Sequence, residues 1–251
     1  MRENFAQGGR KYWEGFGKSI ELAPRQYFDF VGQEKYQEVF KNFDLEGKNV
    51  IDLGAGYPVL PNENNGPLVS QLHEVIESKG AKLVPVDVAV DPMEYQREIG
   101  RSPILADSFK LPFKDESIDG GVIMMNLLNS SYKGDYGKEI FISINECEKI
   151  LKEAYRILQP DKFVLINNYG YSVAKMDGLV KFFGPDDDEI NTPGMLSEVA
   201  KKLGFKMVEN IEFDKMREEL SGQYLLESFP RFLRDRIKVE LIGGGALFFR
   251  K

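Results

Sequence analysis

Cysteine, histidine and tryptophan occur once each in this 251-residue chain, at Cys147, His73 and Trp13. A single thiol cannot build an internal disulfide framework or a cysteine-based metal cluster. That scarcity favours a reducing compartment. No apolar run approaches membrane-spanning length, and the amino terminus, Met1-Arg-Glu-Asn-Phe-Ala-Gln7, lacks the apolar core of a secretory leader. The expectation is a cytoplasmic protein without membrane insertion. A cationic surplus is missing too: 33 Lys and Arg stand against 40 Asp and Glu, a net charge of −7 with pI near 5.1. Such a balance argues against nucleic acid as a partner. What the chain does have is material for a core, 42% hydrophobic and 12% aromatic residues. With neither repeats nor low-complexity tracts, it reads as one large domain with an amino-terminal helical cap or arm over 1–45.

Strand and helix patterns alternate along the rest. A strand is expected at Asn49–Leu53, after a helical spacing of apolar residues over Arg25–Phe43 that Glu46-Gly47 interrupts. Pro58–Pro67 reads as a loop and Leu68–Lys79 as a helix ended by Gly80. Further strands are expected at Lys82–Val88, Ser102–Ala106 and Ile118–Met125, the last apolar enough to be buried on both faces. The Leu-Val-Pro-Val core of the Lys82–Val88 strand argues for a central position, whereas Pro85, which lacks a donor, argues for an irregular or edge one. Ile140–Leu158 reads as a long amphipathic helix, followed by a strand at Phe163–Asn167, a helix from Thr192-Pro193 to Lys202 and a strand at Lys206–Phe213. Met216–Phe232 has a weaker helical pattern. Lys238–Ile242 and Ala246–Arg250 read as two strands about the Gly243–Gly245 turn, forming an antiparallel edge. The alternation implies an α/β fold with a mostly parallel sheet covered on both faces.

The chemistry gathers at strand ends. Asp52-Leu-Gly54-Ala55-Gly56 ends the first strand in a backbone with little side-chain bulk, against which a nucleoside ligand can lie. The third glycine of a dinucleotide fingerprint is replaced by Val59, and no phosphate-binding lysine follows, so a ligand without a pyrophosphate suits the turn better. Asp87, beside Val88 at the tip of the next strand, can accept hydrogen bonds from ribose hydroxyls. Asp107 and Ser108 follow the third strand, where an adenine amino group would meet an acceptor, and Phe109 or Leu111 could pack on the ring. Asp119 opens the fourth strand at its opposite end and reads as structural.

The ordered segments Asp52-Leu-Gly-Ala-Gly56, Val86-Asp87, Ala106-Asp-Ser-Phe-Lys-Leu-Pro-Phe-Lys-Asp-Glu-Ser-Ile-Asp119 and Glu153-Ala-Tyr-Arg-Ile-Leu-Gln-Pro-Asp-Lys-Phe-Val-Leu-Ile166 resemble the class I S-adenosylmethionine-dependent methyltransferases, in particular the branch acting on small molecules. The likeness covers about residues 48–168. It implies a Rossmann-like seven-stranded sheet, mostly parallel, with helices on both faces and an antiparallel last strand. A methyltransferase domain would occupy 46–251, with 170–235 contributing to the cover of the acceptor site. By the same resemblance S-adenosylmethionine lies across the carboxyl edge. Gly54, Ala55 and Gly56 would pass its methionine part, Asp52 would orient the turn, and Asp87 with Val88 would hold the ribose. Asp107 and Ser108 would meet the adenine, and Asn126 would lie near the methionine amino group or the acceptor.

Three departures from the family pattern stand out. Pro58–Pro67 lengthens the interval before Asp87, Pro160-Asp161-Lys162 replaces the usual Pro-Gly-Gly turn, and Met125-Asn-Leu-Leu-Asn129 lacks the Asn/Asp-Pro-Pro-Tyr signature of many nucleic-acid and protein methylators. A small-molecule acceptor is therefore expected. No catalytic residue or metal ligand is assigned, since methyl transfer depends chiefly on alignment. His73 reads as a surface or packing residue and Cys147 as a small core residue. Tyr12, Trp13, Tyr27 and Phe28 read mainly as core residues, with a lid or acceptor pocket as the alternative, and Tyr169 and Tyr171 are better candidates for the acceptor region. Arg231, Arg234, Arg236 and Lys238 form a basic cluster that reads as a solvated face, or else meets an anionic acceptor. The alternatives are an S-adenosylmethionine-binding regulatory protein without activity, or a nicotinamide-dependent oxidoreductase.

Overall fold

The computed structural model describes residues 33–56, 59–62, 66–69, 71–125, 127–129, 131–133, 139–168, 171–176, 179–183, 193–211, 237–242 and 245–251. Its centre is a seven-stranded sheet made of β1 (Asn49–Leu53), β4 (Lys82–Asp87), β5 (Ile104–Leu105), β6 (Gly121–Met125), β9 (Phe163–Asn168), β12 (Lys206–Ile211) and β14 (Gly245–Arg250). The spatial order is β12-β14-β9-β6-β1-β4-β5. β1 pairs in parallel with β4 and β6, as do β4 with β5 and β6 with β9, whereas β14 runs antiparallel to both β9 and β12. The strand order reverses at β1, so the connections leaving neighbouring strands run to opposite sides of the sheet, and their carboxyl rim is where open α/β sheets hold ligands.

The two faces are filled differently. On one lie α1 (Gln33–Phe40) and α2 (Gln71–Ser78), which bury Tyr36, Phe40, Leu72, Val75 and Ile76 against Val50, Phe163 and Phe248. Aromatic rings dominate here: Phe40 meets Phe163 edge-on at 4.9 Å, and Phe163 stacks on Phe248 at 5.7 Å. The other face is mainly aliphatic. There α4 (Ile144–Ile157) buries Cys147, Ile150, Leu151, Ala154 and Ile157, and α5 (Pro193–Lys202) adds Leu196 and Ala200. The α4 stripe recurs at helical spacing, each large side chain contributing roughly 2 kcal/mol by burial. The helix begins where Ser143 and Glu146 form a reciprocal capping box. Val122, Ile123 and Met124 of β6 are fully buried, as the apolar run predicts.

Several expectations need correction. The segment read as the loop Pro58–Pro67 forms a hairpin of β2 (Val59–Asn62) and β3 (Gly66–Val69), so the helix expected from Leu68 starts only at Gln71. The start of the expected helix Ile140–Leu158 belongs instead to β8 (Glu139–Phe141), paired with β7 (Ser131–Lys133). An unanticipated helix, α3 (Val90–Glu98), follows β4. Its signals were weak: an acid, Asp91, and Pro92 in the first turn, Arg97 in the last and Gly100 beyond.

Pro85 does not mark an edge, because β4 lies between β1 and β5. The Val86 carbonyl points toward β1, so the nitrogen of residue 85 faces the other side, where short β5 pairs only with Val86 and Asp87. No ladder bond is lost there. The two carboxyl-terminal strands also part company. β13 (Ile237–Ile242) joins β10 (Tyr171–Met176) and β11 (Leu179–Phe183) in a separate sheet. β14 is not an edge strand, since β9 and β12 occupy both its sides.

Candidate cofactor site at the carboxyl rim

The site begins with the turn after β1. Gly54 and Gly56 take φ of +70° and +50°, a region costly to residues with a Cβ. The N–H groups of Gly54 and Ala55 both donate to the Val86 carbonyl, at 2.8 and 3.2 Å, clamping the turn to the end of β4. A Cβ on Gly54 would approach Leu127 Cδ1 to 2.8 Å, whereas one on Gly56 would meet nothing nearer than 4.0 Å among the described residues. Gly54 is thus constrained by packing and Gly56 by backbone conformation.

Asp87 closes the other side of the turn. Its Oδ2 accepts from the Gly56 N–H at 3.0 Å and its Oδ1 from the Ala89 N–H at 2.9 Å. Burial nevertheless pushes this carboxyl above its ordinary value, outweighing the hydrogen bonds from Ala89, Gly56 and Val88. Its charge is therefore incompletely compensated, which suits an added donor such as a ribose hydroxyl. The Ala106 N–H donates to the Asp87 carbonyl, so Asp107 emerges on the same rim beside it. Asp107 Oδ1 accepts from the Phe109 N–H at 2.9 Å, and Ser108 is buried.

The segment after Asp107 is held to α4. Glu153 accepts the Leu111 N–H at 2.9 Å, while Arg156 donates to the carbonyls of Leu111 and Phe113 and pairs with Glu153 and Asp115. This ties the resembling segments around Asp107 and Glu153 into one unit. Asp119 lies at the opposite rim, as expected, accepting from Asn49 backbone and side chain at 3.0 and 3.4 Å.

Asp52 differs from the other acids. It is 1% exposed and faces α2, where His73 is 2% exposed and places Nε2 3.0 Å from Asp52 Oδ2. The direction is poor, and neither Asp52 oxygen completes an aligned hydrogen bond. We read the pair as a close electrostatic contact. His73 is hence not a surface residue, and its packing role includes a polar one. The signal for this was the acid itself: a carboxylate within an apolar strand needs a nearby polar partner. Gln96, fully buried, was also missed, and its Nε2 donates to the Gly56 carbonyl at 3.1 Å. Asn126, Tyr169, Tyr12, Trp13, Tyr27 and Phe28 lie outside the described residues, as do Met216–Phe232 and the arginines at 231, 234 and 236.

The arrangement fits an adenosine-bearing ligand: a turn free of side chains, an incompletely compensated carboxylate and a second acid on the adjoining strand. Residues 65–166 match a family model described as a methyltransferase domain. The structure is similar to a SAM-dependent methyltransferase from Aquifex aeolicus, with TM-score 0.55 and 13% identity over 94% of this chain and 97% of that one. It is similar also to the Burkholderia thailandensis 1,6-didemethyltoxoflavin-N1-methyltransferase bound to its acceptor and S-adenosylhomocysteine, with TM-score 0.55 and 14% identity over 100% and 92%. The [4+2]-cyclase SpnF aligns with TM-score 0.57 and 14% identity over 99% and 97%. No curated protein matches by sequence. At these identities the structural likenesses speak for the fold, and the family match supplies the methyltransferase domain. Together they show a methyltransferase-domain match over residues 65–166 and a fold shared with solved S-adenosylmethionine-dependent methyltransferases. Among the described residues, no helix is long and apolar enough to cross a membrane.

Proposed function

We propose that the carboxyl rim binds S-adenosylmethionine through Asp52, Gly54, Ala55, Gly56, Asp87, Val88, Asp107, Ser108 and Asn126, for methyl transfer to a small-molecule acceptor in the cytoplasm. The observation that carries this reading is the joining of the Gly54–Gly56 turn to Asp87, 31 residues apart in the chain, by the 3.0 Å bond from Gly56. When bound, the cofactor supplies a methyl group on a positively charged sulfonium. Gly54, Ala55 and Gly56 offer backbone beside its amino-acid part, Asp87 with Val88 takes the ribose, and Asp107 with Ser108 the adenine. The chain's task is alignment, and a base is needed only if the acceptor must lose a proton.

We assign the cover over the acceptor to residues 1–45 and about 170–235, as the resemblance implies. Support for a small acceptor comes from the lack of the Asn/Asp-Pro-Pro-Tyr signature, the acidic net charge and the 1,6-didemethyltoxoflavin named for the Burkholderia enzyme. SpnF, named as a cyclase, carries the same fold, so binding and methyl transfer need separate tests. Calorimetry should show S-adenosylhomocysteine binding at micromolar concentration, and no heat at high micromolar ligand would defeat the cofactor site. Transfer of a labelled methyl group across a metabolite panel then tests the reaction.

A further inference from the structure

Behind the glycine turn lies a polar relay that the fold alone does not require. Arg101, in the link between α3 and β5, is 10% exposed at its side chain and is anchored by Glu77 of α2, whose Oε1 lies 3.0 Å from Nε and 2.8 Å from Nη2. Its Nη1 donates to Gln96 Oε1 at 3.2 Å and lies 3.5 Å from His73 Nδ1. Gln96 then uses its amide nitrogen on the Gly56 carbonyl, and His73 turns its other nitrogen to Asp52. One guanidinium thus reaches both the turn and the acid beneath it.

We propose that Gln96, aimed by Arg101, is a positioning residue that sets the shape of the cofactor turn, and that the same guanidinium selects the His73 tautomer facing Asp52. The inference rests on the cofactor reading above. Its logic is one of donors and acceptors. Guanidinium only donates, so the Gln96 oxygen must face Arg101, which leaves the Gln96 NH2 to face Gly56. A ring nitrogen beside a guanidinium accepts, so the His73 proton resides on Nε2, the nitrogen 3.0 Å from Asp52 Oδ2. Reversing either group would set donor against donor. The peptide groups on both sides of Gly56 are therefore gripped, with Asp87 accepting its N–H and Gln96 donating to its carbonyl.

Gln96→Glu provides the discriminating test. Its carboxylate keeps the shape and still accepts from Arg101, but it has no proton for the Gly56 carbonyl. Affinity for S-adenosylhomocysteine should fall about tenfold or more, the scale of one buried hydrogen bond lost, with the thermal midpoint nearly retained. Unchanged affinity in the folded variant would overturn the positioning role. Should Gln96→Glu fail to fold, Arg101→Lys serves instead: a weakened turn predicts the same loss, and wild-type affinity refutes it. His73 is the only histidine, so its ring nitrogens can be followed in 15N-histidine-labelled protein without ambiguity. The wild type should show the Nε2–H tautomer, and the Nδ1–H form would overturn the second half of the proposal. That spectrum needs no ligand. If the wild type fails to bind S-adenosylhomocysteine, the cofactor reading falls while the spectrum still decides the relay.

Discussion

Asp87 and Asp119 are acids at opposite rims of one sheet, and both accept backbone N–H groups. Yet their charges stand differently. At the carboxyl rim burial dominates and raises the Asp87 carboxyl. At the amino rim burial opposes ionisation as well, but hydrogen bonds from Asn49 and the nearby Lys48 outweigh it and hold Asp119 below its ordinary value. One acid is settled by the chain itself, and the other remains open to a further donor. The amino rim is thus a finished structural seam. The carboxyl rim is a place where stability has been left incomplete, as binding sites commonly are.

The strongest way to break this contrast is at Gly120. A Cβ there would collide with the Asn49 backbone carbonyl at the amino rim. Gly120→Ala should lower stability by about 3 kcal/mol, as overpacking against fixed backbone does. The protein that remains folded should bind S-adenosylhomocysteine normally, which denaturant melts and calorimetry together would check. A fall in intrinsic affinity would mean that the two rims are coupled.

Asp87→Ala should reverse the pattern, weakening S-adenosylhomocysteine about tenfold with a smaller loss of thermal stability. The pH dependence has a definite sign. Because the folded-state value lies above the usual 3.8, ionising Asp87 costs stability as pH rises through that window. A ligand donating to the carboxylate should bind more tightly over the same rise. Titration calorimetry at several pH values would show this, and the variant should lose that dependence.

Asp119→Asn should cost about 1 kcal/mol at neutral pH and leave affinity alone. Its folded-state value lies below 3.8, so the wild type's contribution is present above that pH and fades as pH falls through the lowered value. Urea melts at pH 7 and pH 3 should show the difference between the proteins shrinking. The smallest expected effect is at Asp161, which takes φ of +62° in the turn before β9. Asp161→Gly should change stability by no more than about 0.5 kcal/mol, in the stabilising direction, since relief of left-handed strain is partly offset by backbone entropy. Melting curves would detect it.

Local chemistry was readable wherever neighbours in sequence settle the outcome. β1 occupies the predicted Asn49–Leu53, and α5 begins at the expected Pro193. Asp161 stands where the resemblance calls for glycine, and the backbone takes a left-handed conformation there. The hairpin at Val59–Val69 was misread because its prolines and asparagines look like loop residues, and only pairing partners distinguish the two. α3 escaped notice because its apolar spacing is weak. Arg101 carried no local mark, for its partners Glu77, Gln96 and His73 come from two different helices.

By itself the chain determined where strands end, which turns demand glycine, and which acids stand at those ends, because such choices depend on sterics within a few residues. Only the tertiary structure decided that β14 would slip between β9 and β12 and that Gln96 would reach Gly56. It also settled which carboxylate would lie at ease. Those outcomes depend on register and on water excluded by distant segments, neither of which a short stretch of chain encodes.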